Sequence, residues 1–319
     1  MKFWNIIREW MLVIVMVAGA VSYLVYHNIP ALHPAGPVLY VICTRLQPVL
    51  LFCMLFLAFC KVEPRQFRFE RWHWWMLAFQ CASFTLIAAL LIFLKGSAVE
   101  LLLLAFMLCM ICPTGTATPV MVNMLGGDIS GVVAYTVLIN VAVAVLIPLS
   151  IPLLYPSAGM SFVQSFLRII AKVFPLLVLP CLAAWFVRYF MPAFHSWCIR
   201  NAGASFYMWA VSLMIAIIIS TRALVNSGNG WLIMIEMIAV SLLSCAVQYA
   251  FGRWLGHRYG REITARQTLG QKNTSFGIWM GYTFFNPVVS VAYGFYSIWQ
   301  NAYNTLELRK YEKSKNQQI

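Results

Sequence analysis

Two short runs of proline, glycine, threonine and amide residues interrupt otherwise apolar stretches of the chain. The first reads Cys-Pro-Thr-Gly-Thr-Ala-Thr-Pro over residues 112–119, and the second reads Thr-Leu-Gly-Gln-Lys-Asn-Thr over residues 268–274. Proline and glycine break the hydrogen-bond ladder of a helix, so that carbonyls and helix ends are freed beside hydroxyl and amide side chains. Such a combination suits the binding of a small ion or of a polar group on a substrate.

The candidate binding side chains in the two runs carry hydroxyl, amide or ammonium groups. They are Thr114, Thr116, Thr118, Thr268, Gln271, Lys272, Asn273 and Thr274. A kink without function is the alternative interpretation of either run alone, because proline and glycine are frequent in membrane helices. Two runs of similar composition at corresponding positions favour a binding site.

Charged residues inside apolar stretches are a second indication of function, because a charge at mid-bilayer costs about 2.5–3.5 kcal/mol. The ammonium of Lys272 would replace a bound cation or pair with an anionic substrate; the alternative is a structural ion pair, with Glu236 as the candidate partner. Arg45 would line the substrate route or reach an interface, and Glu236 would form an ion pair or relay protons. The five histidines show no metal-binding spacing, so no metal site is predicted.

The composition identifies the elements that must position these residues. Of 319 residues, 62% are hydrophobic and 10% are charged, whereas soluble domains carry about 25% charged residues. We therefore predict one all-α polytopic membrane domain over residues 1–319, with no soluble domain. The predicted spans are residues 9–27, 37–60, 72–94, 99–125, 129–154, 164–190, 200–221, 230–255, 262–285 and 288–306.

Basic residues predict that both termini face the cytoplasm, because cytoplasmic loops carry an excess of lysine and arginine. The residues assigned to that side are Lys2, Arg8, Lys61, Arg65, Arg68, Arg71, Arg188, Arg200, Arg253, Arg258, Arg261, Arg266, Arg309, Lys310, Lys313 and Lys315. Residues 9–154 and 164–306 then form two five-helix halves of opposite orientation, an inverted repeat typical of secondary transporters. The interruptions fall in the fourth and ninth spans, which we expect to be broken helices that cross.

The two runs resemble motifs of the bile acid:sodium symporter family and of the bacterial homologues of the apical sodium-dependent bile acid transporter. The first run and residues 123–128 are similar to the family's C-P-G-G-T-x-S-N stretch and the turn after it. Residues 270–273, followed by Phe285-Asn286-Pro287, are similar to its E-x-G-M-Q-N-S stretch and its proline-led last helix. Trp299-Gln300-Asn301 lies where the family often ends its last span with a polar pair. The resemblance, which covers all ten spans, implies a panel domain and a core domain, with the broken helices crossing in the core.

The resemblance also implies a set of sodium ligands. Thr118 and Thr136 fall on hydroxyl positions of the family's sodium sites, and Gln80 falls on the amide position of the third span. These residues complete the predicted ion- or substrate-binding set.

Four departures from the family pattern argue against sodium coupling. Pro119 replaces an asparagine, Val132 replaces a hydroxyl residue, Thr268 replaces the acidic residue, and Lys272 stands in place of the ninth-span glutamine. Proline and valine side chains supply no oxygen ligands, and sodium needs several. An ammonium group beside the site would repel the ion as well. We expect altered or lost sodium coupling and no other cofactor.

The sequence therefore predicts a multi-pass protein of the cell (inner) membrane that transports a small organic anion, such as a bile acid-like carboxylate or sulfate. A membrane sensor that kept the fold without transport is the alternative, and an intramembrane enzyme acting on lipid-linked substrates is a weaker one. No H-E-x-x-H or G-x-S-x-G motif is present, so we predict no enzyme activity. The expected partners are the anionic substrate and the lipid bilayer, without nucleic acid; the oligomeric state stays open.

Overall fold

The computed structural model describes residues 2–63, 68–156, 159–228 and 230–316, and the regular structure of these residues is helical, without strands. These described residues form fourteen α-helices and two short 3-10 helices, Pro30–Ala35 and Pro287–Val289. The α-helices are α1 (Lys2–Asn28), α2 (Gly36–Cys60), α3 (Arg71–Leu94), α4 (Glu100–Ile111), α5 (Thr118–Met124), α6 (Ile129–Leu154), α7 (Phe162–Leu177), α8 (Leu179–Phe190), α9 (Pro192–Arg200), α10 (Ala204–Val225), α11 (Gly230–Arg258), α12 (Glu262–Gly270), α13 (Thr274–Phe284) and α14 (Ser290–Asn316).

Several helices are long and apolar enough to cross a membrane, so the chain is a multi-pass membrane protein. Among the described residues they are the segments Pro30–Cys60, Arg71–Leu94, Ile129–Leu154, Ala204–Val225 and Gly230–Arg258. The pair α7 and α8, bent by 43°, is a sixth candidate. Arg65 of the predicted basic loop lies outside the described residues.

Two of the differences between the helices and the predicted spans could not be inferred from the apolar runs of the sequence. The sixth predicted span is divided at Val178, because Pro175 and Pro180 cannot donate backbone hydrogen bonds, and a separate short helix α9 follows it. At the other end, α14 continues from the predicted end at residue 306 to Asn316. Its added turns are polar, so hydrophobicity alone could not reveal them.

Two sets of helices pack closely. In one set α1 packs on α10, and α2 packs on α8 and α10; in the other, α11 contacts α4, α12 and α14, while α3 contacts α4 and α6. Gly252 and Gly256 let α11 approach α12 closely, since a Cβ atom at either position would lie 2.7 Å from the Arg266 Cα or the Arg261 carbonyl oxygen. This contact holds α12 against α11, the longest helix among the described residues.

Arg261, in the turn before α12, ties together the starts of α3 and α6. Its guanidinium lies 3.0 Å from a carboxylate oxygen of Glu70 and 3.9 Å from one of Asp128. Asp128 also caps α6 by accepting a hydrogen bond from the Ser130 amide. Burial alone would raise the pKa of Glu70, but hydrogen bonds from Arg261 and Trp72 hold that pKa below its usual value. The charge arrangement thus favours the ionised carboxylate at this junction.

Candidate functional site

The first helix break separates α4 from α5 over residues 112–117. Proline at position 113 has no amide hydrogen and disfavours helical angles at the residue before it, and Cys112 accordingly adopts φ −52° and ψ 135°. The helix resumes at Thr118 with Pro119 in its first turn, where a missing amide hydrogen costs nothing. The predicted interruption of the fourth span is therefore present, and it is slightly shorter than the polar run.

The second break separates α12 from α13 over residues 271–273. Gln271 is extended, with φ −85° and ψ 120°, and the helix restarts at Thr274. Asn273 caps the new helix, because its side-chain oxygen accepts a hydrogen bond from the Phe276 amide at 3.2 Å. The predicted interruption of the ninth span is also present.

The two breaks lie against each other and pair as a short antiparallel bridge between Thr114 and Lys272. The Gly115 amide donates to the Gln271 carbonyl at 3.0 Å, and the Asn273 amide donates to the Pro113 carbonyl at 2.9 Å. Side chains add to this pairing: the Thr114 hydroxyl donates to the Thr268 carbonyl at 3.0 Å. We call residues 112–117 and 271–273 together the crossing.

Side chains from three other helices donate hydrogen bonds to backbone carbonyls in the last turns of α4 and α12, next to the breaks. Gln80 on α3 donates to the Met110 carbonyl at 2.7 Å, and Gln248 on α11 donates to the Cys109 carbonyl at 3.1 Å. On α14, the Tyr293 hydroxyl donates to the Leu108 carbonyl, and the Tyr296 hydroxyl donates to the Gly270 carbonyl at 2.8 Å. The crossing is thus held by polar groups in an otherwise apolar bundle.

Sequence reasoning missed several of these supporting residues. Gln248, Tyr293 and Tyr296 were not among the predicted binding set, although an amide inside the eighth apolar run was a usable signal for Gln248. Gln300 was noticed only as part of a polar pair, yet its side-chain oxygen accepts the Lys272 backbone amide at 2.9 Å.

Buried polar atoms without a hydrogen-bond partner concentrate at the crossing and next to it. They include Thr118 Oγ1, Gln267 Nε2, Thr268 Oγ1, Lys272 Nζ, Asn273 Nδ2 and Ser275 Oγ. Buried polar groups are normally hydrogen-bonded, so such a cluster marks a place where a ligand or water completes the bonding. Two oxygens also converge beside Gly115, where the position of an added Cβ lies 3.0 Å from the Lys272 carbonyl and 3.4 Å from Thr118 Oγ1.

The Lys272 side chain is 2% exposed. Cys112, Cys109 and Cys245 are the ionisable residues near its amine, and no carboxylate in the described part of the chain pairs with it. The ion pair between Lys272 and Glu236 that we considered as an alternative is therefore not formed. Glu236 is half-buried and Arg45 is exposed on α2, and neither has an ion pair among the described residues.

The structure brings Thr114, Thr118, Thr268 and residues 271–274 together at the crossing, and Thr116 is half-buried in the first break. The polar atoms of Gln80 are both engaged, because its oxygen accepts the Tyr135 hydroxyl.

Two further members of the predicted set also have partners. The Thr136 hydroxyl donates to the Val132 carbonyl within its own helix at 2.8 Å. The side-chain amide nitrogen of Gln271 donates a hydrogen bond to the side-chain oxygen of Gln267 at 2.6 Å. Their role as ligands stays a prediction.

Comparison with known proteins supports the transporter interpretation. No curated protein sequence matches the chain. The profile of the sodium bile acid symporter family matches residues 48–227. The matched region includes the first break and ends before α11, so the second break lies outside it. Because the match covers more than half of a chain that is rich in apolar helices, this protein belongs to the sodium bile acid symporter family of membrane transporters.

Proposed function

We propose that the protein is a secondary transporter that moves a small organic anion by alternating access around the crossing. The observation that carries this proposal is the antiparallel bridge between Thr114 and Lys272, which joins two broken helices beside a cluster of unpartnered buried polar groups. Irregular backbone at membrane depth is tolerated where it is buried in protein or lines a water-filled cavity. In secondary transporters, such paired breaks surround the substrate and its coupling ion.

The proposed architecture has ten spans in two inverted halves, residues 9–154 and 164–306, with both termini in the cytoplasm of a cell (inner) membrane. The pair α4 and α5 is the fourth span of the first half, and the pair α12 and α13 is the fourth span of the second. Antiparallel pairing of the two breaks supports this arrangement, because a two-fold axis in the membrane plane relates equivalent segments in opposite directions.

The proposed substrate is an anion, a bile acid-like molecule or another small carboxylate or sulfate, and transport does not require sodium. The positive charge of Lys272 would stand in for the cation, because no carboxylate among the described residues neutralises it. Two unit charges about 4 Å apart repel by about 4 kcal/mol at an effective dielectric of about 20, equivalent to a roughly thousandfold loss of sodium affinity. The proposal needs no cofactor and no metal.

Flux into proteoliposomes tests this function. The purified protein should take up labelled organic anions, tested singly from a panel of carboxylates and sulfates, when sodium is replaced by choline. Parallel runs with an imposed sodium gradient and with an imposed pH gradient identify the coupling. Strong stimulation of uptake by sodium would contradict the sodium-independent mechanism. Binding of an anion without any flux would favour the sensor over the transporter.

A further inference from the structure

A cavity separate from the crossing, with a charged rim, lies where the end of α5 meets α11, α12 and α14. Its volume is about 330 Å³. Leu125 and Ile263 form apolar walls, and the charged lining consists of Arg253, Arg266, Lys310 and Glu307. We call this cavity the basic pocket. None of the residues of the two breaks lines it, so it is not part of the candidate transport site.

The charges at the basic pocket do not cancel. Arg266 contacts Glu262 at 3.2 Å and also pairs directly with Glu307, and Arg253 contacts Glu262 at 3.1 Å. Lys310 has no ion pair within the described ranges. Three cations therefore face two carboxylates, which leaves one positive charge for a ligand. His257, 3.3 Å from Glu262, would only add positive charge if protonated.

The pocket also has hydrogen-bond donors to offer. Arg266 is 12% exposed and its Nε is buried, so this side chain contributes positive charge to the pocket rather than a free donor. Arg253 is 66% exposed and bonds Glu262 through Nε alone, so its terminal nitrogens remain for an incoming oxygen. Guanidinium groups match the oxygens of a phosphate group, which accepts such charge-assisted hydrogen bonds well.

Neighbouring residues indicate that the basic pocket lies at the level of lipid headgroups. On α11 the guanidinium of Arg258 stacks 4.2 Å from the ring centroid of Trp254, which is 50% exposed. Tryptophan is enriched at membrane interfaces, and this end of the bundle carries the basic residues assigned to the cytoplasm. Basic pockets between membrane helices on that side suit anionic headgroups.

We infer that the basic pocket binds the phosphate group of an anionic phospholipid, with its glycerol and upper acyl chains against Ile263. A phosphodiester carries a single negative charge, which matches the one uncompensated positive charge. The apolar walls favour a lipid over free phosphate, since an inorganic ion would leave them unused. A lipid held there would brace α12, the half-helix that leads to the second break, because Arg266 belongs to that helix.

Binding of short-chain phospholipids to the intact protein in detergent tests the site. Native mass spectrometry should show dioctanoyl phosphatidylglycerol bound more tightly than dioctanoyl phosphatidylcholine, and inorganic phosphate and glycerol 3-phosphate should not displace it. Lys310→Gln and Arg253→Gln should each weaken binding about fivefold, because a cation near an anionic lipid contributes about 1 kcal/mol. Arg309→Gln is the matched control: Arg309 is the exposed neighbour of Lys310 and lies outside the pocket.

The outcomes separate the lipid from its alternatives. Displacement of the lipid by inorganic phosphate would keep the phosphate site but overturn the assignment to a lipid. Equal affinity for both lipids, or equal loss in Arg309→Gln and Lys310→Gln, would overturn the site itself. Because Arg253 is largely exposed, a normal elution profile of Arg253→Gln protects the test from a folding defect. None of these readouts depends on transport activity.

Discussion

Lys272 has a paired backbone but an unpaired side-chain amine. Its backbone joins the antiparallel bridge and donates its amide hydrogen to the side-chain oxygen of Gln300, while its buried amine has no hydrogen-bond partner. A lysine kept only for structure would normally find a carboxylate or reach an interface. The side chain is therefore the residue in which the proposed sodium independence can be tested most directly.

We expect Lys272→Gln to reduce anion uptake without sodium by at least about tenfold, because the variant keeps a polar side chain but removes the charge that stands in for a cation. Initial uptake rates in proteoliposomes measure this. Lys172→Gln is the control, since Lys172 is an exposed lysine of α7 away from the crossing. Unchanged uptake in Lys272→Gln, with the same amount of folded protein, would show that the charge is not needed.

At this scale the sequence predicted the positions of both breaks but not the partners that support them. Pro113 and the glycine of the second run disrupt a helix locally, so their effect can be read from neighbouring residues. Which side chain then binds a carbonyl next to a break depends on packing. Gln248 and Cys109 are 139 positions apart, and Tyr293 and Leu108 are 185 apart. No spacing rule links such pairs.

Among the helices, the end of α12 is fixed by the close contact between Gly270 and the ring of Tyr249 on α11. An added Cβ at Gly270 would lie 2.5 Å from two ring carbons. The ring cannot easily retreat, because it stacks on Tyr303 with centroids 3.9 Å apart, and its hydroxyl contacts Asn304 at 3.2 Å. Gly270 itself does not have a positive φ angle, so glycine is needed at this position for space and not for its backbone conformation.

We expect Gly270→Ala to destabilise the protein by about 1–3 kcal/mol, the usual cost of overpacking a closed interior, and to reduce transport with it. Thermal unfolding in detergent measures the stability. Gly203→Ala should change neither property, because Gly203 has ordinary helical angles and no atoms lie within 4 Å of an added Cβ. Equal melting temperatures for the two variants would contradict the close packing of α12 on α11.

The ion cluster of Glu70, Arg261 and Asp128 predicts a response to acid. Because hydrogen bonds hold the pKa of Glu70 below its ordinary value of 4.5, Glu70 stabilises the fold above that value. This contribution is lost as the pH falls through the lower pKa of the folded state. Glu70→Gln should therefore unfold at a lower temperature near neutral pH and show a smaller further loss below about pH 4.5.

A double-mutant cycle checks the origin of that acid response. Arg261→Gln should lower the melting temperature as Glu70→Gln does, and the double variant should lose less than the sum of the two, because both changes remove the same interaction. Additive losses would show that Glu70 and Arg261 act independently.

Helix boundaries followed the sequence where an apolar run and a polar loop alternate, as for α3 and α6. The prediction failed at α9 and at the end of α14, which both consist of amphipathic or polar residues whose helical state depends on their contacts. Glu307 of α14 pairs with Arg266, for example, and such a bond cannot be seen in a hydropathy pattern.

For the whole molecule, the predicted topology places both termini in the cytoplasm. A cysteine introduced at Leu32, exposed before α2, should react with a membrane-impermeant maleimide in sealed cells, whereas one at Arg71, exposed at the start of α3, should react only after permeabilisation. The charge bias of the loops is the physical reason. Labelling of the Arg71 position in sealed cells would reverse the orientation. The protein without an introduced cysteine, labelled in the same way, gives the background from the native cysteines.

The bridge between the two breaks also constrains how the chain can be made. The Thr114 hydroxyl and the Thr268 carbonyl that it contacts are 154 positions apart. Domains and their parts emerge in order during synthesis, so the first break is in place long before its partner exists. Until α12 and α13 have been inserted, the backbone groups at 113 and 115 face the bilayer without their native partners, at a cost of several kcal/mol for each group exposed to lipid. The last quarter of the chain therefore completes the first half, and a nascent protein interrupted after α11 would be a natural target for membrane chaperones and proteases.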